Sequence, residues 1–222
     1  GPAYFSTTYS GSSIDSIIED STSSGGTVTK EGSGTLSLTN ANTYGGGTIV
    51  SGGNLLVNNT TDSGTGTGSV AVKIGGTLGG TGSISGAVTV EDGGTLAPGA
   101  SAGILNVGTS VTMAVNSTYN WEFGGATLAD KVVITGSLTL DGGLKVKLMN
   151  TGGGTPELGD EYDLFTYGSF GGSFEGSSID VTSVPTWPPV QIAQDTGRIY
   201  LRFSQPGDAN NDGVVDAADY IA

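Results

Sequence analysis

The stretch Asp208-Ala-Asn-Asn-Asp-Gly-Val-Val-Asp-Ala-Ala-Asp219 has the residue types and spacing to do chemistry. Its first half fits the calcium-loop template D-x-N-x-D-G. A hard divalent cation needs several oxygens converging from one short loop. Asp208, Asn210 and Asp212, at the first, third and fifth places, supply side-chain oxygens. Gly213 permits the sharp turn that follows, and Val214 offers its backbone carbonyl. Asp216, in the ninth place, is expected to act through a water, and Asp219 to close the site in the twelfth. The expected ligand is Ca²⁺, and the expected metal residues are Asp208, Asn210, Asp212, Val214, Asp216 and Asp219.

Other chemistry is excluded by residues the sequence lacks. There is no Cys and no His, so thiol nucleophiles, disulfides, Cys/His zinc sites and histidine general bases are ruled out. The adjacent carboxylates Glu19-Asp20, Glu91-Asp92 and Asp160-Glu161 make poor catalytic dyads, because neighbours on a strand point to opposite faces. They read as a solvated acidic surface. The run TTDSGTGTG at 60–68 has neither the Lys nor the helix pattern of a phosphate-binding loop and reads as a plain loop. Acidic residues number 21 against 7 basic, a net charge of −14, which argues against nucleic acid and anionic membrane. No run is long and apolar enough for a membrane-spanning helix. Gly1-Pro2 reads as a protease scar or a processed terminus.

The elements that must carry this tail are strands. Gly-Gly-Thr-Leu at Gly75–Leu78 returns at Gly93–Leu96, an offset of 93 − 75 = 18. Repetition at that period, in a chain with 41 glycines among 222 residues, is the mark of a winding solenoid rather than a globule. Leu36 and Leu38 alternate with Thr35, Ser37 and Thr39, the pattern of a half-buried strand. Further short apolar runs continue through Leu148, with Asn and Gly at the corners between them. Corner asparagines such as Asn40 and Asn42 have the side chains for an amide ladder from coil to coil. Residues 1–27 read as an N-terminal cap. Within them Ser13-Ile-Asp-Ser-Ile-Ile fits a short capped helix or a strand. Residues 28–150 read as the parallel β-helix, 151–203 as an antiparallel β cap with a hairpin turn at Asp195-Thr-Gly197, and 204–222 as linker and calcium loop.

Two resemblances follow from these residues. Gly32-Ser-Gly-Thr-Leu-Ser-Leu-Thr-Asn-Ala-Asn-Thr-Tyr-Gly-Gly-Gly-Thr-Ile-Val-Ser-Gly-Gly-Asn-Leu55 resembles the autotransporter-associated β-strand repeat. Gly93–Val107 and Asp130–Gly136 are similar to the C-terminal coils of passenger-type β-helices. That resemblance implies an all-β fold, a right-handed parallel β-helix (solenoid) located outside the bacterial cell. The tail resembles a single type I dockerin calcium repeat, EF-hand-like, in which Asp at the closing position is a known variation. Dockerins carry two such repeats and bind cohesins through helix residues. One repeat is present here, so the resemblance implies calcium ligation and does not extend to cohesin binding.

The expected function is a non-enzymatic, extracellular structural or adhesive module with a calcium-loaded tail. Its expected partners are copies of itself stacked head to tail, other surface proteins, or polysaccharide. The competing reading is a carbohydrate-binding or polysaccharide-degrading domain attached to an assembly through a dockerin.

Overall fold

The computed structural model describes residues 3–6, 11–21 and 25–204. Every regular element among them is a strand. The strands stack in parallel, coil upon coil, in three sheets, the arrangement of a β-helix. The first sheet runs Ala3–Ser6, Val28–Glu31, Thr48–Val50, Val70–Val72, Val88–Val90, Val111–Met113, Ser137–Asp141, Ser169–Ser173. The second runs Ser12–Ile14, Thr35–Leu38, Gly53–Val57, Gly76–Gly80, Thr95–Pro98, Thr118–Gly125, Lys145–Asn150, Ser178–Asp180. The third begins later, at Ser83–Ile84, and continues through Ile104–Val107, Lys131–Ile134 and Glu161–Thr166.

The alternation read in the sequence becomes columns of side chains. Leu36, Leu55, Leu78, Leu96, Tyr119 and Val146 stand in register down the inside of the second sheet, all buried. Val50, Val72, Val90, Met113 and Leu140 do the same on the first. Burying each such side chain contributes roughly 1.5–3 kcal/mol, and the stack shares one continuous core. The repeated Gly-Gly-Thr-Leu falls in register, with Thr77 beside Thr95 and Leu78 beside Leu96. Its 18-residue offset is therefore the length of one coil.

Lys30 occupies the inward column next to Val50 and is fully buried. Its ammonium donates to three backbone carbonyls, Glu31 (2.7 Å), Gly32 (3.0 Å) and Gly52 (2.9 Å), so all three protons are used. Burial lowers its pKa, and the carbonyl ring compensates the desolvation.

Among the described residues the first coils contribute no strand to the third sheet, and side chains do the bridging there. Asn42 accepts from the Ile18 amide (2.7 Å) and donates to the Gly64 carbonyl (2.6 Å), joining three coils. Asn59 accepts from the Ser83 amide (3.0 Å). These amides bond to the backbone of adjacent coils and not to one another, because backbone groups left without a ladder are the stronger demand. The Tyr44 hydroxyl meets Thr48 Oγ1 at 2.7 Å, and burial pushes its phenol up to about 12. Near the start of the chain, Ser12–Ile14 is a strand paired with Leu36–Leu38, so the strand alternative for this segment holds and the helical one does not.

At the other end, Glu161–Thr166 pairs antiparallel with Arg198–Phe203, which pairs antiparallel with Val190–Asp195. Asp195 lies opposite Arg198 across Thr196-Gly197, with Gly197 at φ +81°, as the turn residues required. Trp121, Phe123, Tyr162, Trp187 and Phe203 gather between these strands and the coils.

Candidate cleft on the outer face of the second sheet

All six residues expected to hold calcium, Asp208, Asn210, Asp212, Val214, Asp216 and Asp219, lie outside the described residues. Among the described residues no group of three or more Asp or Glu is placed to hold a metal. The adjacent acidic pairs have structural employment beyond the solvated surface expected of them. Asp20 accepts from the Gly26 and Gly45 amides, and Glu91 pairs with Lys73 one coil away.

Glu161 belongs to a larger network on the outside of the third sheet. Arg198 reaches Glu161 (2.8 Å), Asp163 (3.3 Å) and Asp195 (2.8 Å). Arg202 reaches Glu161 at 2.6 Å, and Lys131 reaches Asp163 at 3.8 Å. Burial works against the Glu161 carboxylate, yet bonds from Arg202 and Arg198 hold its pKa below the usual range. Arg198 also lies 3.9 Å over the Tyr200 ring. A cleft of about 300 Å³ adjoins this network. Its charged walls are Lys131, Arg198, Glu161 and Asp163, already paired with each other. Such half-exposed pairs contribute about 0–1 kcal/mol each. They fasten the last strands and leave no charge free for a ligand.

A second cleft, also about 300 Å³, lies on the outer face of the second sheet. Strand alternation sets its floor: while Leu36, Leu55 and Leu78 point inward, Thr35, Asn54 and Thr77 point outward. Thr35, Asn54, Thr77, Thr95 and Thr118 follow one another in register, one per coil. Asn54 Nδ2 donates to Thr35 Oγ1 at 3.2 Å. Asn120 and Glu122 lie on the same outward side of Thr118–Gly125. Leu56, Ala97 and Met149 add apolar patches.

One wall is the loop Pro98–Ser101, which leaves the second sheet after Thr95–Pro98. Gly99 exchanges both backbone bonds with Gly80 (2.8 and 2.9 Å). It sits at φ +90°, and a Cβ there would overlap the Ser101 carbonyl and lie 2.7 Å from Asp130 Oδ1. Only glycine fits.

Asp130 holds this wall from behind. It is fully buried. Its Oδ1 accepts from the Gly103 amide (2.7 Å) and its Oδ2 from the Glu122 amide (2.9 Å). Its own amide donates to the Glu122 carbonyl (3.0 Å). One carboxyl group therefore ties the Pro98–Gly103 loop to the strand bearing Glu122. Burial raises its pKa to about 8, against the pull of the Gly103 and Glu122 amides. Desolvation also raises Glu122. Tyr119 is raised further, by burial and then by Asp130, so its phenol stays protonated while donating to the Leu164 carbonyl at 3.0 Å.

Glu122 and Asp130 are eight residues apart in the chain, so adjacency of carboxylates does not single them out. The available signal was an isolated Asp immediately before the alternating strand Lys131–Ile134, opposite a glycine-rich turn one coil earlier. With both Asp130 oxygens engaged by amides, Glu122 is the one carboxylate among the described residues that lines the cleft. One accessible carboxylate is not the pair of Asp or Glu that glycoside hydrolysis employs.

Comparison with known proteins agrees with the repeat reading. Residues 28–57 match the passenger-associated-transport-repeat, a segment that includes the Gly32–Leu55 stretch. The chain is similar to the adhesin BmaC autotransporter of Brucella suis biovar 1 (strain 1330), 39% identical over 164 residues. That alignment takes in 68% of this chain and 5% of the relative. The chain thus spans about one-twentieth of the length of the curated relative it matches.

Proposed function

We propose that this chain is a non-enzymatic module of a bacterial surface protein. In this reading it is a right-handed β-helical spacer, capped by the antiparallel strands of residues 190–203, that presents its outer faces for adhesion outside the cell. The observation that carries the reading is the in-register file of outward hydroxyl and amide side chains, Thr35 to Thr118, over an unbroken apolar core. Such a stack is stiff along its axis, because each coil is bonded to its neighbours, and it lengthens without altering its cross-section. Surface location and adhesion are carried over from the relative, which is itself named an adhesin.

Beads coated with the chain should be retained on cultured-cell monolayers several-fold more than albumin-coated beads. Equal retention would reject the adhesive role. Release of reducing ends from polysaccharide by the same preparation would reject the non-enzymatic one.

The tail is proposed to bind Ca²⁺ through Asp208, Asn210, Asp212, the Val214 carbonyl, Asp216 and Asp219. Support comes from the donor set, hard oxygens at loop spacing with glycine at the turn. Calorimetric titration should give about one Ca²⁺ per chain, abolished in the double variant Asp208→Ala, Asp212→Ala. Absence of binding heat in the unaltered chain would remove the site.

A further inference from the structure

We propose that the cleft on the outer face of the second sheet binds a neutral, linear polysaccharide lying along the solenoid axis. The lining selects the ligand. Asn54, Thr77, Asn120 and Ser101 each offer groups that donate and accept, the dual capacity of sugar hydroxyls. Leu56 and Met149 supply apolar patches suited to the C–H faces of pyranose rings. Among the described residues no Lys or Arg lines the cleft, and the chain carries −14 overall, so an acidic polymer is repelled.

Geometry disfavours a peptide strand. The floor is the face of a sheet whose backbone groups are bonded coil to coil, whereas strand addition needs a free edge. What the face offers is side chains repeating at roughly 4.8 Å, the spacing of adjacent strands. One pyranose unit advances by a comparable length, so successive sugars meet successive coils. The volume, about 300 Å³, is at the small end for ligand pockets. It houses a short stretch of a chain whose remainder extends along the threonine file. The wall is already built: Asp130 fixes the loop through the Gly103 amide, so little ordering cost remains on binding. The inference deepens the adhesive reading by naming its ligand class, and rests on that reading only for where the ligand is met.

The test uses the full chain, labelled with ¹⁵N, with cellohexaose, chitohexaose and maltohexaose as probes. At millimolar concentration at least one should shift the side-chain amide signals of Asn54 and Asn120. Asn120→Ala and Thr77→Val, both on the outer face, should each weaken that binding about tenfold or more without moving the thermal midpoint. Three outcomes overturn the proposal: no shift with any of the three; affinity unchanged in both variants; or displacement of these signals by oligolysine or oligogalacturonate alone. Hexasaccharide binding together with failed bead retention removes the adhesive role and leaves the cleft assignment standing. Bead retention without hexasaccharide binding does the reverse.

Discussion

Replacing Trp121 with alanine should lower the unfolding free energy by about 3–5 kcal/mol, the range for deleting a buried large aromatic. Trp121 is fully buried and touches four aromatic rings: Tyr162 at 5.5 Å, Phe123 at 5.9 Å, Trp187 at 6.2 Å and Phe203 at 6.5 Å between centroids. It joins the coils to the final antiparallel strands. Its removal opens a cavity, and the one edge-to-face pair, with Trp187 at 84°, adds about 0.5–1.5 kcal/mol beyond burial. For a chain of this size the midpoint should fall by on the order of 10 °C. The indole Nε1 has no hydrogen-bond partner among the described residues. Trp121→Phe therefore discards an unsatisfied donor along with some volume, and should cost much less than Trp121→Ala. Urea and thermal unfolding followed by circular dichroism would check both. If the two variants lost stability equally, the packing role would be wrong.

The alternation of Leu36 with Leu38 is legible in the sequence as strand, and the structure has a strand there. Period-two alternation is local, so it survives without knowledge of the fold. Gly76–Gly80 and Ser169–Ser173 were less legible, because glycine has low strand propensity. Both are strands because paired neighbours impose the ladder, and glycine is required where coils approach closely. A Cβ at Gly80 would overlap the backbone of Val57.

The cleft was less legible still. Its parts are the turn at Pro98–Ser101, the outward residues of Thr118–Gly125 and the single Asp130. They meet only once coils of unequal length are stacked in register. Leu78 pairs with Leu96, but Leu96 next pairs with Tyr119 and Tyr119 with Val146, so the coil lengthens toward the C-terminal end. A fixed period read from Gly75 and Gly93 cannot carry a residue to its partner across coils that grow. The proposed calcium donors are the reverse case, because all six fall within twelve consecutive residues and are named from the sequence alone.

Asp130→Asn should destabilise the chain most in mild acid, and its cost should shrink as the pH rises. Burial is the larger influence on this carboxyl and lifts its folded pKa to about 8, while the unfolded value is near 3.8. A group raised on folding favours its protonated form in the fold. Its contribution to stability is complete below the unfolded value and is lost as pH climbs through the folded one. Asparagine does not titrate, so the variant lacks this dependence. It also turns an amide N–H₂, which cannot accept, toward either the Gly103 or the Glu122 amide, whereas the hydroxyl oxygen of the protonated carboxyl keeps a lone pair for it; one buried donor is left unpaired at a cost of about 1–3 kcal/mol. The gap between the two proteins should therefore be largest near pH 5 and narrow toward pH 9. Glu161, Asp180 and Asp195, whose pKa values are lowered in the fold, lose their stabilisation in acid equally in both proteins and cancel in the difference. Urea midpoints of the pair at pH 5, 7 and 9 would measure it. A gap that widened with pH would mean that the two amide donors outweigh burial and hold Asp130 ionised, clasping the loop as a carboxylate across the whole range.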